Sequence, residues 1–378
     1  MAKREVVVLG VGLTKFQRDM RDVVEMGQEA GQAALKDAGV DPKDIQMGFC
    51  GHVNQCSGTG MSIFNSLGIS DIPVTNCEVA CASASRGAMF AAEMISAGAC
   101  DMAMVVGVER MPRGLVPAVG EMPDFGSFPL EMMLGLMPMP GAYALMARRH
   151  MAVHGTTVEH FAKAAEKAHR NGSLNPNACY PQIYTLEEIL NSRPIADPIT
   201  MYMCSANANG ATAVVLCSPE KAKQYTTNPI FLSGWQGSTP KYDKENPEME
   251  DCDVRWAAEK AYAMAGLGPE DMKVCQLHDA FSPGEILIIE KLGFCPEGEG
   301  GPFVWEGNTE ITGKIPVNTD GGLVSCAHPI GCTGLRMVTE ITWQMRGVAG
   351  KRQIPTPVNA GVLDNAGAGG GNVMVFKK

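Results

Sequence analysis

The chain opens on an uninterrupted apolar run, Val6-Val7-Val8-Leu9, and a similar run returns at Ile230-Phe231-Leu232. Runs of this length and β-branched content predict strands buried on both faces, as in layered α/β proteins. The first run leads into Gly10-Val11-Gly12. Lys15 stands where a dinucleotide fingerprint needs its third glycine, so these glycines predict a tight turn that ends the strand.

Both runs are followed by the same punctuation. Ala38-Gly39-Val40-Asp41-Pro42-Lys43-Asp44-Ile45 predicts a helix end, a proline turn and a return into a strand at Met47–Cys50. Ala265-Gly266-Leu267-Gly268-Pro269-Glu270-Asp271-Met272 repeats that order and returns into a strand at Val274–Leu277. Strand–helix–strand units recurring in two halves predict α/β layers built by duplication, with halves at 1–228 and 229–378. Between the repeats, about residues 111–198, the texture changes. Eight methionines fall from Met111 to Met151, and a helical period over Val158–Arg170 closes near Asn171-Gly172, a C-cap signal. This reads as an insertion that covers something, its methionines suited to core filling or to an adaptable apolar pocket.

Composition narrows the function. A formal charge of −10 argues against a nucleic-acid surface, which needs clustered Lys and Arg. No apolar run reaches the length of a membrane span, and the apolar start breaks at Gly10 before it could form a secretory signal. Thirteen cysteines, an odd number scattered through apolar stretches, read as reduced thiols of a cytoplasmic protein.

Four segments carry chemistry. Glu78-Val79-Ala80-Cys81-Ala82-Ser83-Ala84-Ser85 puts a cysteine among small residues just before a helical stretch, Arg86–Ser96, where unpaired N–H groups and the helix dipole favour a thiolate. Gly321-Gly322-Leu323-Val324-Ser325-Cys326-Ala327-His328-Pro329-Ile330-Gly331-Cys332-Thr333-Gly334 places a histidine, the natural base for a thiol, in a glycine-rich loop. His278-Asp279-Ala280-Phe281 follows the strand of the second repeat. Gly367-Ala368-Gly369-Gly370-Gly371 can offer bare N–H groups to an oxyanion.

Taken together, Cys-Ala-Ser-x-Ser, His-Asp-x-Phe, Asn318-Thr319-Asp320-Gly321-Gly322 through His328-Pro329-x-Gly331, and the C-terminal glycines resemble the thiolase superfamily over nearly the whole chain. Asn191-Ser192-Arg193-Pro194 through Met203-Cys204-Ser205 is similar to its sterol-carrier-protein-type and archaeal-type branch, and the Met-rich cover resembles thiolases of bulky substrates such as benzoylsuccinyl-CoA. The resemblance implies a duplicated five-layer αβαβα thiolase fold with a covering loop domain. It also implies an obligate homodimer and, in this branch, a separate small zinc-ribbon/OB-fold partner that holds the only zinc. CoA is then a substrate, and no cofactor is bound. It implies that Cys81 attacks a 3-oxoacyl-CoA, that His328 takes its proton, and that His278 and His328 hold the enolate oxygen. The N–H groups of Cys81 and Gly369 would hold the acyl oxygen, and Ser205 would lie beside the pantetheine arm of CoA.

One departure stands out. The family's second catalytic cysteine falls at Gly367 or Ala280, and neither can move a proton, which leaves the α-carbon step to a histidine, water or a relocated cysteine, with His278 together with His328 the favoured choice. Cys326 and Cys332 read as packing residues. The same gap suits a condensing synthase of this fold, and a non-catalytic acyl-binding scaffold is the reading from outside enzymology. Cys50-Gly51-His52 with Cys56 has zinc-type ligands but no fourth, and reads as no metal site. His150, His154, His160 and His169 read as surface or packing residues.

Overall fold

The computed structural model describes residues 4–18, 20–112, 139–239, 253–367 and 370–378. Strand β1 (Val6–Leu13) does not stop at the glycines, as the sequence suggests, but runs through both. Their bareness serves packing instead. A Cβ on Gly10 would lie 2.6 Å from the Ala38 Cβ, and one on Gly12 would lie 2.5 Å from the Ala34 nitrogen, so helix α1 (Val23–Ala38) can lie directly on the strand.

The first half continues with β2 (Met47–Gly51), α2 (Thr59–Ser66), β3 (Val74–Cys77), α3 (Ser83–Ser96) and β4 (Met102–Glu109). The insertion then contributes α4 (Met139–His154), α5 (Val158–Ser173), α6 (Leu186–Leu190) and the small ribbon β5 (Pro194–Ala196) and β6 (Ile199–Thr200). After it come β7 (Gly210–Cys217) and α7 (Pro219–Ala222). The second half holds β8 (Ile230–Gly237), α8 (Asp253–Ala265), β9 (Cys275–Leu277), α9 (Pro283–Lys291), α10 (Gly300–Trp305), α11 (Gly322–Cys326), α12 (Thr333–Arg346), β10 (Ala360–Asp364) and β11 (Asn372–Lys377).

The strand order β3-β2-β4-β7-β1-β8-β11-β10-β9 exposes the duplication. Reading outward from the centre, β1-β7-β4-β2 is matched by β8-β11-β10-β9, with the same parallel and antiparallel pairings in each. Even β3, parallel to β2, has a counterpart in a parallel bridge between Cys275 and Val317. The repeated turn is conserved in conformation: Gly39 and Gly266 both have φ of 67°, and each leads into a short 3-10 turn starting at proline. That left-handed geometry is why a glycine closes each helix.

Five layers follow from three apolar clusters. Val7 and Leu9 face α1 and α2 on one outer surface, while the alternate residues Val6 and Val8 face α3 and α12 in the middle. Leu363 and Met374 of the second half reach the same central helices, and Val362, Val373 and Val375 face α8 and α9 on the other outer surface. The halves are not separate sheets. β1 pairs with β8 over Val6–Val8, so one hydrogen-bonded sheet folds around the two central helices. Those buried helices carry the nucleophile segment at one N-terminus and follow the histidine loop at the other.

The insertion covers this end of the molecule. Gly172 is not a helix cap, as its sequence context suggests, but a buried residue of α5. A Cβ there would lie 2.5 Å from the Ser325 Cβ, so its absence lets α5 press on the loop that bears His328. The methionines between residues 113 and 138 lie outside the described residues. Among the described residues no helix is long and apolar enough to cross a membrane.

Candidate active site

Cys81 sits in the turn between β3 and α3. Ala80 adopts φ of 46°, a left-handed conformation costly for a residue with a Cβ. The Ser83 hydroxyl braces the turn, accepting from the Val79 N–H at 3.0 Å and donating to the Ala80 carbonyl at 2.6 Å. The helix starts at Ser83, two residues after the nucleophile, and the backbone N–H that acts on the Cys81 thiol is its own.

His328 approaches from the other half. Ala327, with φ of 72°, turns the chain, and the His328 N–H donates to the Ala206 carbonyl at 2.8 Å. Its Nε2 lies 3.1 Å from the Cys81 Sγ, and its Nδ1 lies 2.9 Å from the Thr333 hydroxyl. That hydroxyl donates its one proton to the Pro329 carbonyl at 3.2 Å and so receives a proton from Nδ1. The network therefore assigns His328 the tautomer whose Nε2 lone pair faces the thiol.

His278 carries the opposite tautomer. The Asn365 carboxamide oxygen lies 2.7 Å from the Ser85 hydroxyl, which has the Ala82 carbonyl as a second acceptor at 2.9 Å, and in this amide orientation its NH2 group donates to the His278 Nδ1 at 3.1 Å. The remaining nitrogen, Nε2, then carries the hydrogen. The two imidazoles meet edge to face with ring centroids 5.0 Å apart. One histidine presents an acceptor to the thiol and the other presents a donor.

Burial sets the protonation of all three groups. It pushes the Cys81 thiol up to about 12 and the His278 imidazole down to about 3. It also drives His328 well below the usual histidine value, helped by His278 and by the buried Arg336. Cys81 keeps part of its residue surface open, but the thiol is enclosed by protein atoms, so burial governs its protonation. The resting pair is a neutral thiol hydrogen-bonded to a neutral imidazole, ready to pass its proton as a bond forms to sulfur.

Ser205 ties the two histidine loops together. Its N–H donates to the Ala280 carbonyl at 2.9 Å, and its neighbour Ala206 receives the His328 N–H. Gly369 lies outside the described residues. Gly367 is described, and a Cβ there would come within 2.6 Å of the Ala82 nitrogen, so the tight nucleophile turn leaves no room for a cysteine at that position. Ala280 is buried. Cys326 and Cys332 are buried too, each thiol directed at a backbone carbonyl, of Asp320 and Pro329 respectively.

Sequence reasoning missed the residues that aim the histidines. Thr333 and Asn365 were not singled out as such partners, and Asn318, named only as the start of the Asn-Thr-Asp-Gly-Gly run, accepts from the Leu277 N–H at 2.9 Å through its side chain and so fixes the strand end before His278. Glu109 is fully buried and accepts from the N–H groups of Val53, Asn54 and Gly331, joining the histidine loop to the end of β2. A lone glutamate closing the apolar run Met102–Val108 was the visible signal.

Among the described residues the one trio able to offer three metal ligands is Cys81, His278 and His328, with ligand atoms within 4.8 Å of one another. A tetrahedral zinc with bonds of about 2.0–2.3 Å would hold sulfur and nitrogen about 3.5 Å apart. The 3.1 Å separation here is that of a hydrogen bond. Cys50 is buried and Cys56 exposed, so the Cys50, His52 and Cys56 triplet gathers no such cluster.

The family model for the thiolase N-terminal domain matches residues 6–180, and that for the thiolase C-terminal domain-like unit matches residues 236–377. The acetyl-CoA acetyltransferase of Methanothermobacter thermautotrophicus is 37% identical, over 98% of this chain and 98% of its own. The chain belongs to the thiolase family. Benzoylsuccinyl-CoA thiolase subunit BbsB of Thauera aromatica is 34% identical to it, over 94% of this chain and 93% of BbsB. Among solved structures, the Ltp2-ChsH2(DUF35) aldolase superposes with a TM-score of 0.88 at 25% identity, covering 100% of this chain and 98% of that one. This thiolase is therefore an acyltransferase acting on CoA thioesters.

Proposed function

We propose that this thiolase cleaves or forms a 3-oxoacyl-CoA through an acyl group carried on Cys81. The supporting observation is the 3.1 Å contact between Cys81 Sγ and the lone-pair nitrogen of His328. In the cleavage direction His328 takes the thiol proton as sulfur attacks the keto carbon, and C–C cleavage follows. His278, locked as an Nε2–H donor, holds the thioester oxygen as the enolate develops. The N–H groups of Cys81 and Gly369 serve the acyl oxygen, and Ser205 lines the pantetheine path. Residues 1–228 supply the nucleophile and 229–378 both histidines, so the site needs both halves.

His278→Ala is expected to lower turnover by about 10²–10³-fold, the usual loss for one oxyanion donor. Acylation of Cys81 by a simple thioester should persist, because that step forms no enolate. Acylation lost in parallel with turnover would contradict the role.

The same reading extends to substrate and assembly. BbsB is named as a subunit of a benzoylsuccinyl-CoA thiolase, and the aldolase structure is named for Ltp2 together with ChsH2(DUF35). We take a bulky 3-oxoacyl-CoA as substrate, a cytoplasmic homodimer as the working form, and a small zinc-ribbon/OB-fold protein as partner. The open edge of β3, with Thr75 and Asn76 exposed, and the exposed Phe90 and Met94 on the adjoining α3 suit a second copy. Expressed alone, the chain is expected to be poorly soluble or nearly inactive, and a co-purifying small zinc protein to restore cleavage in a screen of 3-oxoacyl-CoAs with CoA. Full activity from the isolated, metal-free homodimer would sink the partner.

A further inference from the structure

The α-carbon needs a proton when the carbon–carbon bond breaks, and the geometry removes the obvious donors one after another. Gly367 has no room for a side chain, and Ala280 offers none that ionises. Cys326 and Cys332 spend their hydrogens on backbone carbonyls. Asp279 is tied to α11: one oxygen accepts from the Leu323 N–H at 2.8 Å, and the other lies against Gly322. His278 has its Nδ1 occupied by Asn365 and is held down to about 3, so it keeps its single Nε2 hydrogen and serves as a fixed donor.

Among the described residues of the covering insertion, one proton-bearing side chain lies on the His278 loop: a side chain at Gly284 would come within 3.0 Å of the His278 carbonyl and 3.5 Å of the Tyr143 ring. Tyr143, on α4 of the covering insertion, packs its ring against Phe281 of the His-Asp-Ala-Phe motif, with centroids 4.8 Å apart and planes inclined at 46°. Its other flank borders Gly284 at the start of α9. The residue keeps part of its surface open, while burial governs the protonation of its phenol. Cys81, Asp364 and Asp279 are the ionisable groups whose charges act on its phenol.

We propose that Tyr143 carries the α-carbon proton in place of the missing cysteine, an inference that rests on the acyl-cysteine reading above. In cleavage, the C–C electron pair moves onto the α-carbon as sulfur holds the acyl group. The phenol proton passes to that carbon, and the shortened acyl-CoA leaves. The resulting phenolate takes the proton of the incoming CoA thiol, whose sulfur forms a new thioester as the bond to Cys81 breaks. His328 returns its proton to the Cys81 sulfur, and every group regains its starting state. Burial, then the charges of Cys81, Asp364 and Asp279, raise the phenol above its usual value. The phenol therefore stays protonated at rest, and its phenolate is a base strong enough to ionise a thiol. The covering insertion thus supplies part of the chemistry as well as the roof.

The test is deuterium exchange into the α-position of acetyl-CoA and succinyl-CoA in D2O, followed by mass spectrometry, with the complete enzyme and any co-purifying subunit. Wild type should exchange at least one of the two. Tyr143→Phe keeps the ring against Phe281 and should lose about 10²–10⁴-fold in exchange, the usual worth of acid–base help. Its Cys81 should still be alkylated by iodoacetamide at the wild-type rate, which shows an intact site. Unchanged exchange in Tyr143→Phe would overturn the inference, and so would a parallel loss of exchange and alkylation. No exchange of either thioester by wild type with reactive Cys81 would instead overturn the acyl-cysteine reading itself.

Discussion

Cys81→Ala is expected to abolish turnover, a loss on the order of 10⁵-fold or more for a nucleophile acting as a unit with its base. The protein should stay folded. Cys81→Ala removes a single sulfur atom and inserts nothing, a change that typically costs about 1 kcal/mol. Steady-state rates beside a thermal melt separate the two effects. The pH profile of wild type adds a second check. His328 must be neutral to accept the thiol proton, and burial holds its imidazole well below the usual histidine value. The acid limb of kcat/KM should therefore lie below pH 6.5 rather than near it. A Cys81→Ala enzyme retaining one per cent of activity or more would contradict the role.

The second large effect concerns stability. Asp320 and Arg336 form an ion pair in which the two side chains are only 3% and 4% exposed. Arg336→Met removes one charge and leaves the other buried without compensation, which typically costs about 3–5 kcal/mol. Asp320→Asn in the same chain should recover much of that loss, because the stranded charge goes with it. Urea midpoints of the single and double variants measure this directly. Equal loss in both would mean that packing around Arg336, and not the charge, is what matters. Arg336 also disfavours the protonated forms of His278 and His328, so its removal should move the acid limb of activity upward in pH.

Much of this was legible because the signals were chemical and local. The repeated Ala-Gly-x-x-Pro turn is the same backbone device in both halves, down to the φ of 67° at Gly39 and Gly266. Cys81, His278 and His328 stood in motifs whose loops the fold brings together from both halves of the chain. What escaped were features decided by tertiary contact. Gly10 and Gly12 look like a turn until α1 is laid on the strand, and Gly172 looks like a cap until α11 is packed against it. Thr333 and Asn365 aim the two imidazoles, but Thr333 reads only as the exit of the histidine loop, and nothing around Asn365 marks it as the partner of a residue 87 positions away. Tyr143 was hidden in a Met-rich stretch whose relation to the cysteine depends on how the insertion folds over the centre.

The most direct measurement is a mass-spectrometric search for the acyl enzyme. The protein, with any co-purifying subunit, is mixed with a cleavable 3-oxoacyl-CoA in the absence of CoA, quenched in acid and digested. One acyl group per active site is expected on Cys81, to disappear when CoA is added before the quench. An acyl group on Cys77 or Cys326, or turnover with no acylated cysteine at all, would contradict the account.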